Sequence, residues 1–172
     1  FLKQSIVDNR EVMDYISQQS PSHTQSFGIL GISLGAIKAT LTSGIDSRIK
    51  CCVLIMGGGS MADVMSYSDE PGEIKRRKKF LEYCSLQEYH DSIKNNVLSD
   101  PLIVAPYIDA TKTLMYIAQS DSTVPYFCGE NLWKAIGKPK VKKPFGNHYT
   151  SAIYLPYALY DTTKFFKEKL DD

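Results

Sequence analysis

The chain is short of nearly everything that would assign it to a specialised class. Its 172 residues carry 20 basic and 19 acidic side chains, a formal net charge of +1. That balance gives no electrostatic reason to expect a nucleic acid or an anionic membrane as partner. No apolar run approaches the roughly 20 residues that a membrane-crossing helix requires, so no membrane span is expected. The first residues, Phe1-Leu2-Lys3-Gln4-Ser5, lack an apolar core and a small-residue cleavage site, so they do not read as a signal peptide. There are four cysteines, with no C-x-x-C and no Cys/His cluster at zinc-ligand spacing. Cys51 and Cys52 are adjacent in an apolar run, so on a strand they would point to opposite faces and could not readily pair. Reduced structural thiols and a cytoplasmic location are therefore expected, with no metal and no organic cofactor. Internal repeats and low-complexity segments are also missing.

What remains is an ordinary globular composition, 43% hydrophobic and 23% charged, in a chain long enough to bury one core. Residues 2–19 space their apolar positions as an amphipathic helix, ended by Ser20-Pro21-Ser22. Phe27–Ile32 reads as a strand. A helix follows to about Thr42, with Gly44 as its stop. Ile49–Met56 is continuously apolar, as suits a strand covered on both faces, and Gly57-Gly58-Gly59 closes it through tight backbone packing. Residues 60–106 are more charged and read as a helical insertion. Its helical patches fall at Ile74–Tyr83 and Leu86–Val97, and Asp100-Pro101 and Ala105-Pro106 break it. Thr113–Ala118 is a third strand, Tyr126–Ile136 a helix ended by Gly137, and Pro139–Lys143 a short fourth strand. Tyr149–Leu170 is helical with a kink or restart at Pro156. Strands alternating with helices predict an α/β fold with a mostly parallel sheet of about four strands, whose chemistry sits at the strands' carboxyl ends.

The motif at those ends is Gly31-Ile32-Ser33-Leu34-Gly35, between the first strand and the helix beginning Ala36-Ile37. In a strand–turn–helix setting G-x-S-x-G is a nucleophile elbow: the serine occupies the tip of a strained turn. Both glycines are expected to be required, because a Cβ at either place would crowd strand against helix. A serine hydroxyl needs a base to take its proton and an acid to orient that base. Asp121 leaves the end of the third strand and His148 follows the last, in the chain order Ser…Asp…His. Asp100 and Asp109 follow no convincing strand. His23 precedes the elbow and His90 lies in the insertion, so neither occupies the base's place. The Lys75–Lys79 run reads as a solvated helix face. Tyr67, Phe80, Tyr83 and Tyr89 read as core rather than as substrate contacts, and Trp133 as packing on the sheet.

Taken together, Gly31–Gly35, the run Leu114–Asp121 with Val124-Pro125 behind it, and Gly146-Asn147-His148 resemble the C-terminal half of an α/β-hydrolase. Within that superfamily the chain is similar to the dienelactone-hydrolase and prolyl-oligopeptidase-like serine hydrolases. The resemblance covers nearly the whole chain, with 60–106 matching loosely. It implies Ser33 as nucleophile, Asp121 as acid, His148 as base and the Leu34 backbone N–H as one oxyanion donor. It also implies cleavage of an ester or related acyl bond of a small-molecule substrate. A peptidase or acyltransferase on the same residues, and a non-catalytic scaffold of the same fold, are the other readings. Two departures stand out. Asn147 occupies the place before the histidine where the family usually has glycine. About four strands usually precede the elbow strand and contribute the second oxyanion N–H, whereas here one helix does. The expectation is a partial domain whose exposed sheet edge self-associates or pairs with the missing N-terminal half.

Overall fold

A computed structural model describes residues 2–19 and 26–170. The expected stop at Ser20-Pro21-Ser22, His23 and Phe1 lie outside the described residues. The elements are α1 (Leu2–Gln19), β1 (Phe27–Ile32), α2 (Leu34–Ile45) and β2 (Ile49–Ile55). Then come α3 (Met61–Tyr67), α4 (Pro71–Phe80), α5 (Leu86–Asn96) and α6 (Pro101–Val104). The chain finishes with β3 (Thr113–Tyr116), α7 (Tyr126–Ala135), β4 (Lys140–Lys142) and α8 (Leu155–Leu170). Short 3₁₀ turns at Ala105–Tyr107, Ala110–Lys112 and Thr150–Tyr154 join some of them.

The sheet is parallel throughout, in the order β1-β2-β3-β4. Its register aligns Gly31 with Leu54 and Leu54 with Met115, so the strands' carboxyl ends open on one side. Alternation along β2 sends its side chains to two cores. Cys52 and Leu54 join Ala36, Ala39, Met115, Leu132 and Ile136 on the α2/α7 face. Cys51, Val53 and Ile55 join Leu114, Tyr116, Ala158 and Phe165 on the α8 face. The adjacent cysteines thus face opposite layers, and all four thiols are free. Burial raises the Cys52 thiol to about 11 and the Cys128 thiol to about 12, so neither is a nucleophile near neutrality.

Helix α1 docks on α2, with Leu2 and Ile6 against Ile37 and Leu41. Asp46, buried just beyond α2, locks that arrangement. It accepts from Arg48 Nε at 2.9 Å, Arg48 Nη2 at 2.8 Å and Arg10 Nε at 3.1 Å, and Arg48 also reaches Asp14 of α1 at 2.6 Å. The Arg48 guanidinium is the main reason the Asp46 carboxyl lies far below the usual carboxylate range.

Several sequence expectations change. Gly44 is inside α2 rather than beyond it. A Cβ there would lie 2.5 Å from the Val104 Cβ, so Gly44 admits α6 rather than ending a helix. Pro71, Pro101 and Pro106 each sit at the first helical positions of an element and open it. Pro156 lies in the first turn of α8, directly after the Thr150–Tyr154 turn, and so marks a restart. Of the four aromatics expected in the core, only Tyr89 is buried, whereas Tyr67, Phe80 and Tyr83 are half or more exposed. α4 contributes no buried residue, whereas α3 and α5 pack on each other and Met61 and Val64 of α3 pack against α2 and the Val124–Cys128 segment. The solvated reading of Lys75–Lys79 holds for that face except at Arg77, which donates to the Met65 and Ser68 carbonyls. Trp133 packs against the α2/α7 core and donates to the Pro139 carbonyl at 2.9 Å. No helix among the described residues is long and apolar enough to cross a membrane.

Candidate active site

Ser33 joins β1 to α2 with φ 56° and ψ −122°. Few non-glycine residues adopt such a backbone, which costs about 1–3 kcal/mol and must be held by its surroundings. The Ser33 N–H donates to the Ile55 carbonyl at 2.8 Å, extending the β1–β2 ladder into the turn. On the other side its carbonyl accepts from Ala36 and Ile37, starting α2. Pinned on both sides, Ser33 has its side chain free of helix capping. The Leu34 and Gly35 N–H groups precede the first of those helical bonds, so they lie at the positive end of the α2 dipole beside Ser33.

The turn is tight because Gly31 faces Gly35. A Cβ on Gly31 would lie 2.2 Å from the Gly35 carbonyl oxygen. A Cβ on Gly35 would meet nothing within 4 Å, so the expectation that both glycines relieve crowding holds for Gly31 only. The Gly57-Gly58-Gly59 run behaves as expected. Cβ atoms there would approach Ala36, Val124, Cys128 and Leu102 to within 2.4–2.9 Å, so the chain leaving β2 passes between α2, α7 and α6 without side chains.

Asp121 lies midway along the loop from β3 to α7. Its Oδ1 accepts from the Thr123 and Val124 N–H groups at 3.0 and 2.9 Å, forming the turn that leads into α7. Its Oδ2 faces His148 Nδ1 at 2.7 Å. The His148 Nε2 in turn lies 2.8 Å from Ser33 Oγ. A carboxylate only accepts, so Nδ1 carries the proton and Nε2 is left to accept from the serine hydroxyl. The Asp121 and His148 side chains are only 2% and 9% exposed, which shields their interaction from solvent.

Asn147 explains itself locally. Its Oδ1 accepts from the Tyr149 and Thr150 N–H groups at 3.0 and 2.9 Å and so builds the turn that presents His148. The other candidates are occupied elsewhere. Asp100 accepts from Ser60, Met61 and Leu102 N–H groups, and Asp109 caps a 3₁₀ turn. His90 is tied to Asp63 at 3.0 Å. Among the described residues no group of His, Cys, Asp and Glu has the arrangement of a metal site. Sequence reasoning missed Asp69, which together with its neighbour Ser68 is bonded to the Asp121 loop. It lies in the loosely patterned insertion, 54 residues from Thr123, and no motif marks it.

The four-stranded parallel sheet with its flanking helices matches an α/β fold. The fold is a partial α/β-hydrolase fold. An acylaminoacyl peptidase from Pyrococcus horikoshii superposes with a TM-score of 0.72 over 97% of this chain and 28% of its own, at 16% identity. A Pyrococcus furiosus esterase gives 0.63 over 96% and 62%, at 15% identity. An acetyl xylan esterase from Paenibacillus sp. R4 gives 0.66 over 92% and 52%, at 19% identity. The chain therefore spans from about a quarter to under two-thirds of the length of these α/β-hydrolase-fold structures. No protein-family model matches the sequence, and no curated protein does.

Proposed function

We propose that the protein is a serine hydrolase that cleaves an ester or related acyl bond through an acyl-enzyme. The observation that carries this reading is the continuous relay from Ser33 Oγ to His148 Nε2 at 2.8 Å and from His148 Nδ1 to Asp121 Oδ2 at 2.7 Å. In the first half-reaction Ser33 Oγ attacks the acyl carbon while His148 Nε2 takes the hydroxyl proton. The tetrahedral oxyanion develops beside the Leu34 N–H at the start of α2. Collapse expels the leaving group, which receives the proton from His148. Water then attacks the acyl-enzyme with His148 again as base, and Ser33 is restored. Asp121 holds the imidazole in the tautomer that the first step needs and stabilises the imidazolium that follows. The hydrolase-type names of the superposed structures fit this chemistry.

We further propose that residues 1–172 form one partial domain with the helical insertion at 60–106, and that the β1 edge is covered by further strands in the working protein. What supports this is the place of β1 at the end of the sheet order, with Ile32 and Leu34 more than a third exposed beside the elbow. Those strands would also complete the oxyanion hole, where a single donor is worth on the order of 10²–10³ in kcat. Pre-steady-state hydrolysis of p-nitrophenyl acetate tests the reaction. With the protein that carries those strands, a burst stoichiometric with protein is expected, and linear release at the buffer rate would reject it.

A further inference from the structure

Besides the apolar Val64–Val124 contact, hydrogen bonds stitch the insertion to the Asp121 loop. Ser68 and Asp69 lie between α3 and α4, and both face Ser122 and Thr123. The buried Ser68 Oγ donates to the Thr123 carbonyl at 2.6 Å, and the Asp69 N–H donates to the Ser122 carbonyl at 2.9 Å. The Asp69 carboxylate accepts from Ser122 Oγ at 2.5 Å and from Thr123 Oγ1 at 2.8 Å, one hydroxyl on each oxygen. Thr123 therefore bonds two carboxylates at once: its N–H serves Asp121 Oδ1 and its hydroxyl serves Asp69 Oδ1.

We propose that Asp69 is a positioning residue for the Asp121–His148 pair, holding the acid loop through Ser122 and Thr123 and presenting a second negative charge to the imidazole. This rests on the serine-hydrolase reading above. Two observations separate it from a plain loop contact. Thr123 is a shared hinge, so any release of Asp69 loosens the residue whose N–H orients Asp121. The Asp69 carboxyl is also held below its ordinary range by the Ser122 hydroxyl first, then by Thr123, with attraction to a charged His148 contributing. Asp69 therefore carries its negative charge at neutral pH. The groups in direct contact with His148 are Asp121, the Ser33 hydroxyl and the Tyr149 ring, whose centroid lies 5.6 Å away. The remaining charges at the Ser68–Asp69 turn are Glu70, which caps α4, and Arg77, which donates to the Ser68 carbonyl.

The test follows the rate of Ser33 labelling by a fluorophosphonate from pH 5 to 9 in wild type, Asp69→Asn and Ser122→Ala. The sign follows from the charge. Removing that negative charge should move the acid limb of the labelling profile to lower pH in Asp69→Asn. The plateau rate should fall about tenfold as the acid loop loosens. Ser122→Ala, an exposed hydroxyl deletion that keeps the Asp69 charge, should lower the plateau several-fold and leave the acid limb nearly in place. If Asp69→Asn does not fold, Ser122→Ala decides, and an unchanged plateau overturns the proposal. A folded Asp69→Asn with the wild-type profile also overturns it while leaving the hydrolase reading intact. A wild-type protein that is not labelled at Ser33 overturns both.

Discussion

A Cβ on Gly31 would stand 2.2 Å from the Gly35 carbonyl oxygen, while a Cβ on Gly35 would stand in open space. The two glycines of the elbow therefore do different work. Gly31 lets β1 pass against the first turn of α2, whereas Gly35 occupies a helical position where it is a weak helix former. Gly31→Ala should be destabilising by several kcal/mol or should fail to fold, because the obstruction is backbone that cannot move aside. Gly35→Ala should be neutral or stabilising by up to about 1 kcal/mol. Urea denaturation of the two variants checks both signs.

Asp121 uses its two oxygens for different contacts, which makes its structural role and its proposed chemical role separable. Asp121→Asn can keep the carbonyl oxygen on the Thr123 and Val124 N–H groups and so preserve the turn. Its amide cannot accept from His148 Nδ1–H, so the imidazole turns to the wrong tautomer. The expected result is a fall of about 10⁴ in kcat with a shift of less than about 1 kcal/mol in stability. Steady-state kinetics and thermal melts on the same preparation measure the two.

Stability should depend on acid through Asp46. Its folded pKa is depressed, chiefly by Arg48, so it contributes stability above its unfolded pKa of about 3.9 and loses that contribution as pH falls through the folded value. Asp46→Asn should cost about 1–3 kcal/mol at pH 7. The gap between variant and wild type should begin to close below about pH 4. Urea midpoints at pH 7, 5 and 3 give the comparison, and a gap that stays constant with pH would contradict the assignment.

The close packing behind β2 gives another check. Gly58→Val should lose several kcal/mol, because even a Cβ there would approach Val124 Cγ1 and Cys128 Cβ to 2.8 and 2.9 Å. Val124 directly follows the Asp121 turn, so the variant should lose activity together with stability. Parallel denaturation and ester-hydrolysis curves measure that coupling.

The sheet and the elbow are legible in the sequence because their signals are local. Phe27–Ile32 has the bounds expected of it, and the apolar run from Ile49 is a strand that stops one residue short, where Met56 turns to φ 54°. β3 ends at Tyr116, two residues before its apolar run ends, although Ile117 still donates to the Lys142 carbonyl. The insertion is less legible. α3 is only seven residues long, begins from Ser60 in the left-handed region and has no long amphipathic period to read. Prolines there start elements, which a pattern of breakers cannot distinguish from interruptions. Ser33, Asp121 and His148 could be singled out from their places after strands. Asp69 could not, because its importance depends on a contact between segments far apart in the chain.

Mass-spectrometric mapping of a fluorophosphonate adduct tests the central claim most directly. The account predicts one adduct on Ser33 in the wild type, none in Ser33→Ala, and labelling slowed at least 10³-fold in His148→Ala, on the order expected when an activated serine loses its base. An adduct on a different residue, or labelling that persists in Ser33→Ala, would contradict it.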